Sequence, residues 1–82
     1  MTYDYRAQVL EELQTHGIRP KPTTPPALVH DFVSDLYRYE LRRLRDRQIR
    51  GEIQKRAYST HVVELRRKYL LMSVPVRSWT EA

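Results

Sequence analysis

Cysteine is absent from the chain. That removes disulfide staples, thiolate metal sites and cysteine nucleophiles together, and it fits a reducing cytoplasmic setting. Glycine is nearly absent as well, with two in 82 residues, so a backbone cradle for a nucleotide phosphate is hard to build. The sequence holds no Gly-x-Ser-x-Gly elbow and no His-Glu-x-x-His pair, so neither nucleophilic nor zinc-hydrolase chemistry has its usual footing. The expectation is a protein without catalytic activity, cofactor or small-molecule substrate.

Long hydrophobic runs are missing too. The longest is Tyr69-Leu70-Leu71-Met72, far short of the roughly 20 apolar residues that cross a bilayer. Met1 to Arg6 lead into an amphipathic pattern with Asp4, Glu11 and Glu12, without the basic start and apolar stretch of a secretory leader. A cytoplasmic location without integral membrane association is expected.

What is present is a 40% hydrophobic fraction rich in Leu, Val and Tyr, enough for a core despite 30% charged residues. The length suits one helical domain over 1–82. So short a chain buries a modest share of its surface, which favours a protein partner or a homo-oligomer to cover the rest.

The periodicity is helical throughout. Tyr5, Val9 and Leu13, with Leu10 beside them, recur at three-and-four spacing and predict a helix over about 3–16, capped by Thr2 or Asp4. Gly17, Ile18 and Pro20 form the pattern of a left-handed stop with an apolar clasp. Pro20, Pro22, Pro25 and Pro26 make 17–24 a stiff connector, a reading preferred to an SH3-type ligand. Thr24 is placed to cap, and Pro25 to open, a long helix over about 25–50. Its stripe runs through Val29, Phe32, Val33, Leu36, Tyr37, Leu41 and Leu44. At 1.5 Å per residue it is ~39 Å long.

Gly51 is the expected stop, although continuation through it stays open. A connector over 51–59 then leads to a helix over about 60–73, capped by Ser59 or Thr60, with Val62, Leu65, Tyr69 and Met72 on one face. Pro75 ends regular helix, leaving 74–82 as an extended tail. The fold class is therefore all-α: a small three-helix bundle or hairpin with one long central helix and an extended C-terminal tail.

Charge is unevenly spread. The overall balance is +5, yet residues 1–37 carry three cations against five acids, whereas residues 38–68 carry eleven against four. Arg38, Arg42 and Arg45 share one helical side and Arg43, Arg47 and Arg50 another. Such a helix can pair phosphate oxygens, with Tyr37, Tyr39 and Tyr58 available for base stacking. The plainer account is self-pairing, because Asp35 and Arg38, Glu40 and Arg43, Arg42 and Asp46, and Asp46 and Arg50 all fall at neighbour spacing.

His30, Asp31 and Asp35 gather carboxylates near one histidine, but His30 points about 100° away from Asp31 around the helix. His61 and Glu64 fall at i, i+3, with Glu40 alone facing them from the long helix. Neither set completes a metal site.

The leading functional expectation is a helical interaction or oligomerisation module with its seam at Val33, Leu36, Tyr37, Leu41 and Leu44. Trp79 either joins that seam as an aromatic anchor or folds back over the core. The alternative is a nucleic-acid binder using Arg42, Arg43, Arg45, Arg47 and Arg50, with Arg66, Arg67 and Lys68 as a second bank.

Overall fold

The computed structural model describes residues 1–81; Ala82, the last residue of the expected tail, lies outside the described residues. Three helices follow in order: α1, Ala7–Thr15; α2, Pro26–Ile49; and α3, Lys55–Lys68. Two short 3-10 turns, Leu70–Ser73 and Val76–Ser78, complete the elements. The fold is all-α, and among the described residues the single β-type pairing is an isolated bridge between Tyr5 and Thr80. The chain forms two compact units, Met1–Val33 with Leu71–Ala82, and Ser34–Leu70.

Both glycines end helices. After α1, the Gly17 N–H bonds the Gln14 carbonyl at 2.9 Å and the Ile18 N–H reaches back to Leu13 at 3.0 Å, with Gly17 at φ +76°. After α2, Gly51 bonds Gln48 at 3.1 Å and Glu52 bonds Arg47 at 2.9 Å, with Gly51 at φ +80°. Each is a Schellman closure, which needs a left-handed residue just past the helix and so selects glycine. The helix therefore stops at Gly51 instead of passing through it.

In the unit formed by the two chain ends, α1 is shorter than its periodicity predicts. Residues 3–6 are drawn into backbone pairing instead of the first helical turn. The Tyr3 N–H bonds the Pro22 carbonyl at 2.6 Å, the Arg6 N–H bonds the Trp79 carbonyl at 3.0 Å, and the Glu81 N–H bonds the Asp4 carbonyl at 2.9 Å. Arg6 adds a bond from its Nε to the Ser78 carbonyl at 2.9 Å. Neither Thr2 nor Asp4 caps α1, whose N-cap is Arg6 in an extended conformation without a side-chain cap bond.

The tail is not extended throughout. Its two 3-10 turns close through Val74 to Leu71, Ser78 to Pro75 and Trp79 to Val76. They turn the Trp79 side chain inward, where it is 0% exposed. Its indole N–H donates to the Val74 carbonyl at 3.1 Å, and its ring lies 5.4 Å from that of His30. A fully buried indole without that acceptor would leave its N–H unsatisfied. Among the described residues, Tyr5, Val9, Leu13, Pro26, Val29, Val33 and Leu71 are the other buried apolar residues of this unit.

Thr24 does not cap α2. Its hydroxyl oxygen instead accepts the Lys21 N–H at 3.0 Å and closes a turn in the connector. The Thr24 carbonyl takes the Tyr5 hydroxyl at 2.6 Å. The first helical bonds of α2 come back to the Pro25 carbonyl from Leu28 and Val29. Pro26 occupies the opening position, where a missing N–H leaves no intrahelical bond unmade.

In the second unit, α2 from Ser34 onward packs against α3. Its buried residues are Leu44, Ile53 and Tyr69. α3 starts before the expected cap at Ser59 or Thr60 because Lys55, Arg56 and Ala57 are good helix formers. Ser59 sits inside the helix and turns its hydroxyl back to the Arg56 carbonyl. The helix also ends earlier, at Lys68, with the Tyr69 N–H shared between the Leu65 and Arg66 carbonyls.

Two outcomes check this architecture. Nothing lies within 4 Å of a Cβ built on Gly17 or Gly51, so alanine at either site is opposed by backbone conformation alone and costs about 1–2 kcal/mol in urea denaturation. Trp79→Ala costs about 3–5 kcal/mol, enough to leave so small a chain substantially unfolded by circular dichroism at room temperature. A midpoint unchanged by either substitution contradicts the corresponding closure.

Candidate interaction surfaces

The residues expected to form a docking seam lie largely inside. Val33 and Leu44 are buried, Trp79 is fully so, and Leu36, Tyr37 and Leu41 are half-buried. The Tyr37 ring rests 5.2 Å from the Tyr69 ring of its own chain. Val33 and Trp79 therefore offer another molecule no surface, and Leu44 shows only a sliver, which corrects their place in the seam. Periodicity identifies the apolar side of a helix, and the same side serves equally for an internal core.

The exposed large apolar side chains of α2 are Leu28, Phe32, Tyr39 and Ile49. Leu28 and Phe32 are 63% and 55% exposed, and their i, i+4 spacing puts them on one side of the helix. They line an open groove of about 610 Å³ with Ile18, Pro20, Thr24 and Val29, while Arg19 and Lys21 add two cations. All of these residues belong to the unit of the chain ends. The i, i+4 pair was visible in the sequence. The groove depends on how the proline connector lies beside the helix, which has no periodic signature.

The arginines concentrate in the other unit, which carries eleven Arg and Lys side chains against five acids. Arg42, Arg43, Arg45, Arg47, Arg50, Arg66, Arg67 and Lys68 are all exposed. The self-pairing suggested by spacing is mostly absent among the described residues. Asp35 meets Arg38 at 3.9 Å, but Arg50 turns from Asp46 to Glu52 at 2.8 Å, and Glu40 meets Lys68 at 3.0 Å instead of Arg43. Eight of the eleven cations make no ion pair within 4.0 Å among the described residues.

Between α2 and α3 this unit opens a cleft of about 400 Å³. Leu44 and Leu65 form its apolar lining, Arg43, Arg47, His61 and Lys68 its basic groups, and Glu40 and Glu64 its acids. Glu40 accepts from Lys68 at 3.0 Å, and Glu64 lies 4.0 Å from His61. Arg43 also places its guanidinium 5.9 Å from the centre of the exposed Tyr39 ring, within cation–π range. Arg67 lines a separate shallow pocket with Ser59, Thr60, Val63 and Glu64.

Glu40 joins the two helices of this unit. One carboxylate oxygen takes the Lys68 ammonium and the other takes the Tyr69 hydroxyl. Burial, then the bond to Glu40 and its negative charge, push the Tyr69 phenol well above its ordinary range. Tyr5 is raised as well, by burial and then by neighbouring Tyr3. The two histidine sets seen in the sequence remain pairs: His30 lies 4.0 Å from Asp31 and His61 the same distance from Glu64. Among the described residues no cluster of three or more potential ligands could hold a metal.

Among the described residues no helix is long and apolar enough to cross a membrane. Comparison with known protein families, curated proteins and solved structures finds no match.

The Tyr69–Glu40 bond has a pH signature. A phenol whose folded-state pKa exceeds its unfolded value, about 10, holds its proton more tightly in the folded chain. That stabilisation is complete below about pH 10 and is lost as pH rises toward the folded value. Tyr69→Phe is expected to cost about 1.5 kcal/mol near neutrality. Its stability should fall less steeply than that of the parent above about pH 10, with a residual slope from Tyr5. Thermal melts at neutral and alkaline pH check both parts.

Proposed function

We propose that the chain is a non-catalytic helical interaction module that holds an acidic, amphipathic segment of another protein in the groove beside Leu28 and Phe32. The observation that carries this reading is two large apolar side chains, both more than half exposed, along a groove with Ile18 and Pro20. Leaving such a surface in water forgoes hydrophobic stabilisation at about 25 cal/mol per Å², and contiguous exposed apolar surface commonly marks a binding site. Arg19 and Lys21 select the sign of the partner, because neither has a carboxylate within 4.0 Å among the described residues. A segment with one or two large apolar anchors flanked by Asp or Glu meets both features.

Selection from a random peptide display library tests this directly. Enriched peptides should carry a large apolar residue beside carboxylates. They should bind Leu28→Ser/Phe32→Ser at least tenfold more weakly, a change of about 1.4 kcal/mol, and the double variant should keep the parental melting profile because both positions face solvent. Enrichment indifferent to that variant, or without acidic character, overturns the reading. So does concentration-dependent dimerisation in sedimentation that the variant abolishes, because a second copy would then be the occupant.

A further inference from the structure

We infer that the unit Ser34–Leu70 binds the phosphodiester backbone of nucleic acid through Arg43 and Arg47 at the mouth of the α2–α3 cleft. This inference is independent of the groove reading, since it concerns residues of the other unit. Three observations converge on it.

The first is charge without partners. Arg43 and Arg47 both border the cleft, and neither holds a carboxylate within 4.0 Å among the described residues. Of the acids that share the cleft, Glu40 is taken up by Lys68 and Tyr69, and Glu64 makes no ion pair with either arginine. An anion approaching the mouth therefore meets guanidinium groups without displacing an internal pair.

The second is geometry. Arg43 and Arg47 stand one helical turn apart on the same side of α2, about 6 Å along the axis. A row of cations along a helix suits a polymer with regularly repeated charge better than a lone anion. The third is chemistry. The cations of this unit are mostly arginines, whose planar fork pairs two phosphate oxygens at once. Beside Arg43, the exposed Tyr39 ring offers a face on which an unpaired base can stack.

Neither the side chains nor the stacking distinguishes one base from another, so the expected binding is independent of base sequence and steeply dependent on salt. With about four phosphates neutralised, affinity falls about a hundredfold between 50 and 200 mM salt.

Fluorescence anisotropy of the full chain with labelled oligo-dT and with a labelled duplex, at several salt concentrations, tests the assignment. The expected result is that Arg43→Gln/Arg47→Gln weakens binding at least tenfold at low salt and lowers the salt slope by about two. A charge-matched control, Lys55→Gln/Arg56→Gln, removes two cations that do not line the cleft and should change affinity less than twofold. All four positions are exposed, and thermal melts verify that each variant folds as the parent does.

No binding at low salt overturns the proposal. Equal losses from the two double variants also overturn it, by showing diffuse attraction to net charge. Displacement of oligo-dT by inorganic triphosphate at an equal phosphate concentration would reassign the cleft to small phosphates. Binding of anionic vesicles without binding of either oligonucleotide would reassign it to a lipid surface.

Discussion

The backbone must leave each of the first two helices through a left-handed residue, and the chain has only two residues suited to do so. Gly17 and Gly51 occupy those positions, at φ +76° and +80°. Each closure satisfies two carbonyls that the helix end would otherwise leave unpaired. They set where the connector before α2 begins and where the chain turns toward α3. With no other glycine in the sequence, the remaining turns are built from proline, from the Thr24 side chain and from 3-10 geometry.

The two compact units differ in how they are held. In the unit of the chain ends, backbone bonds tie residues 3–6 to Pro22, Trp79 and Glu81, and the buried Trp79 supplies its largest fully buried side chain. In the unit of Ser34–Leu70, buried apolar residues are few, and the polar junction of Glu40 with Lys68 and Tyr69 links α2 to α3. Hydrogen bonds to a charged acceptor are stronger than neutral ones, so this junction compensates in part for a thin core.

Charge follows the same division. The arginine-rich half of α2 and all of α3 fall in one unit, which leaves most of its cations unpaired. Pair spacing along a helix allows an ion pair without requiring one, since each exposed pair gains only about 0.3–0.5 kcal/mol and long side chains choose among several partners. Glu40 illustrates the point: Arg43 is available on its own helix, yet it engages Lys68 and Tyr69 from across the unit. Among the described residues, the groove by Leu28 and Phe32 is instead an apolar surface with a small basic margin.

The all-α class, the long middle helix and both glycine stops were legible in the sequence, because periodicity, proline and glycine act over a few neighbouring residues. The early start of α3 was obscured by Ser59 and Thr60, which resemble caps but sit inside the helix. The shortened α1 was invisible locally, since Tyr3 pairs with Pro22 in the connector, and Asp4 and Arg6 pair with positions near the other end of the chain. The amino-acid order by itself determined which side of each helix is apolar and where α1 and α2 must stop. Only the tertiary structure decided that Val33, Leu44 and Trp79 are interior while Leu28 and Phe32 face solvent, because burial depends on what distant segments bring alongside.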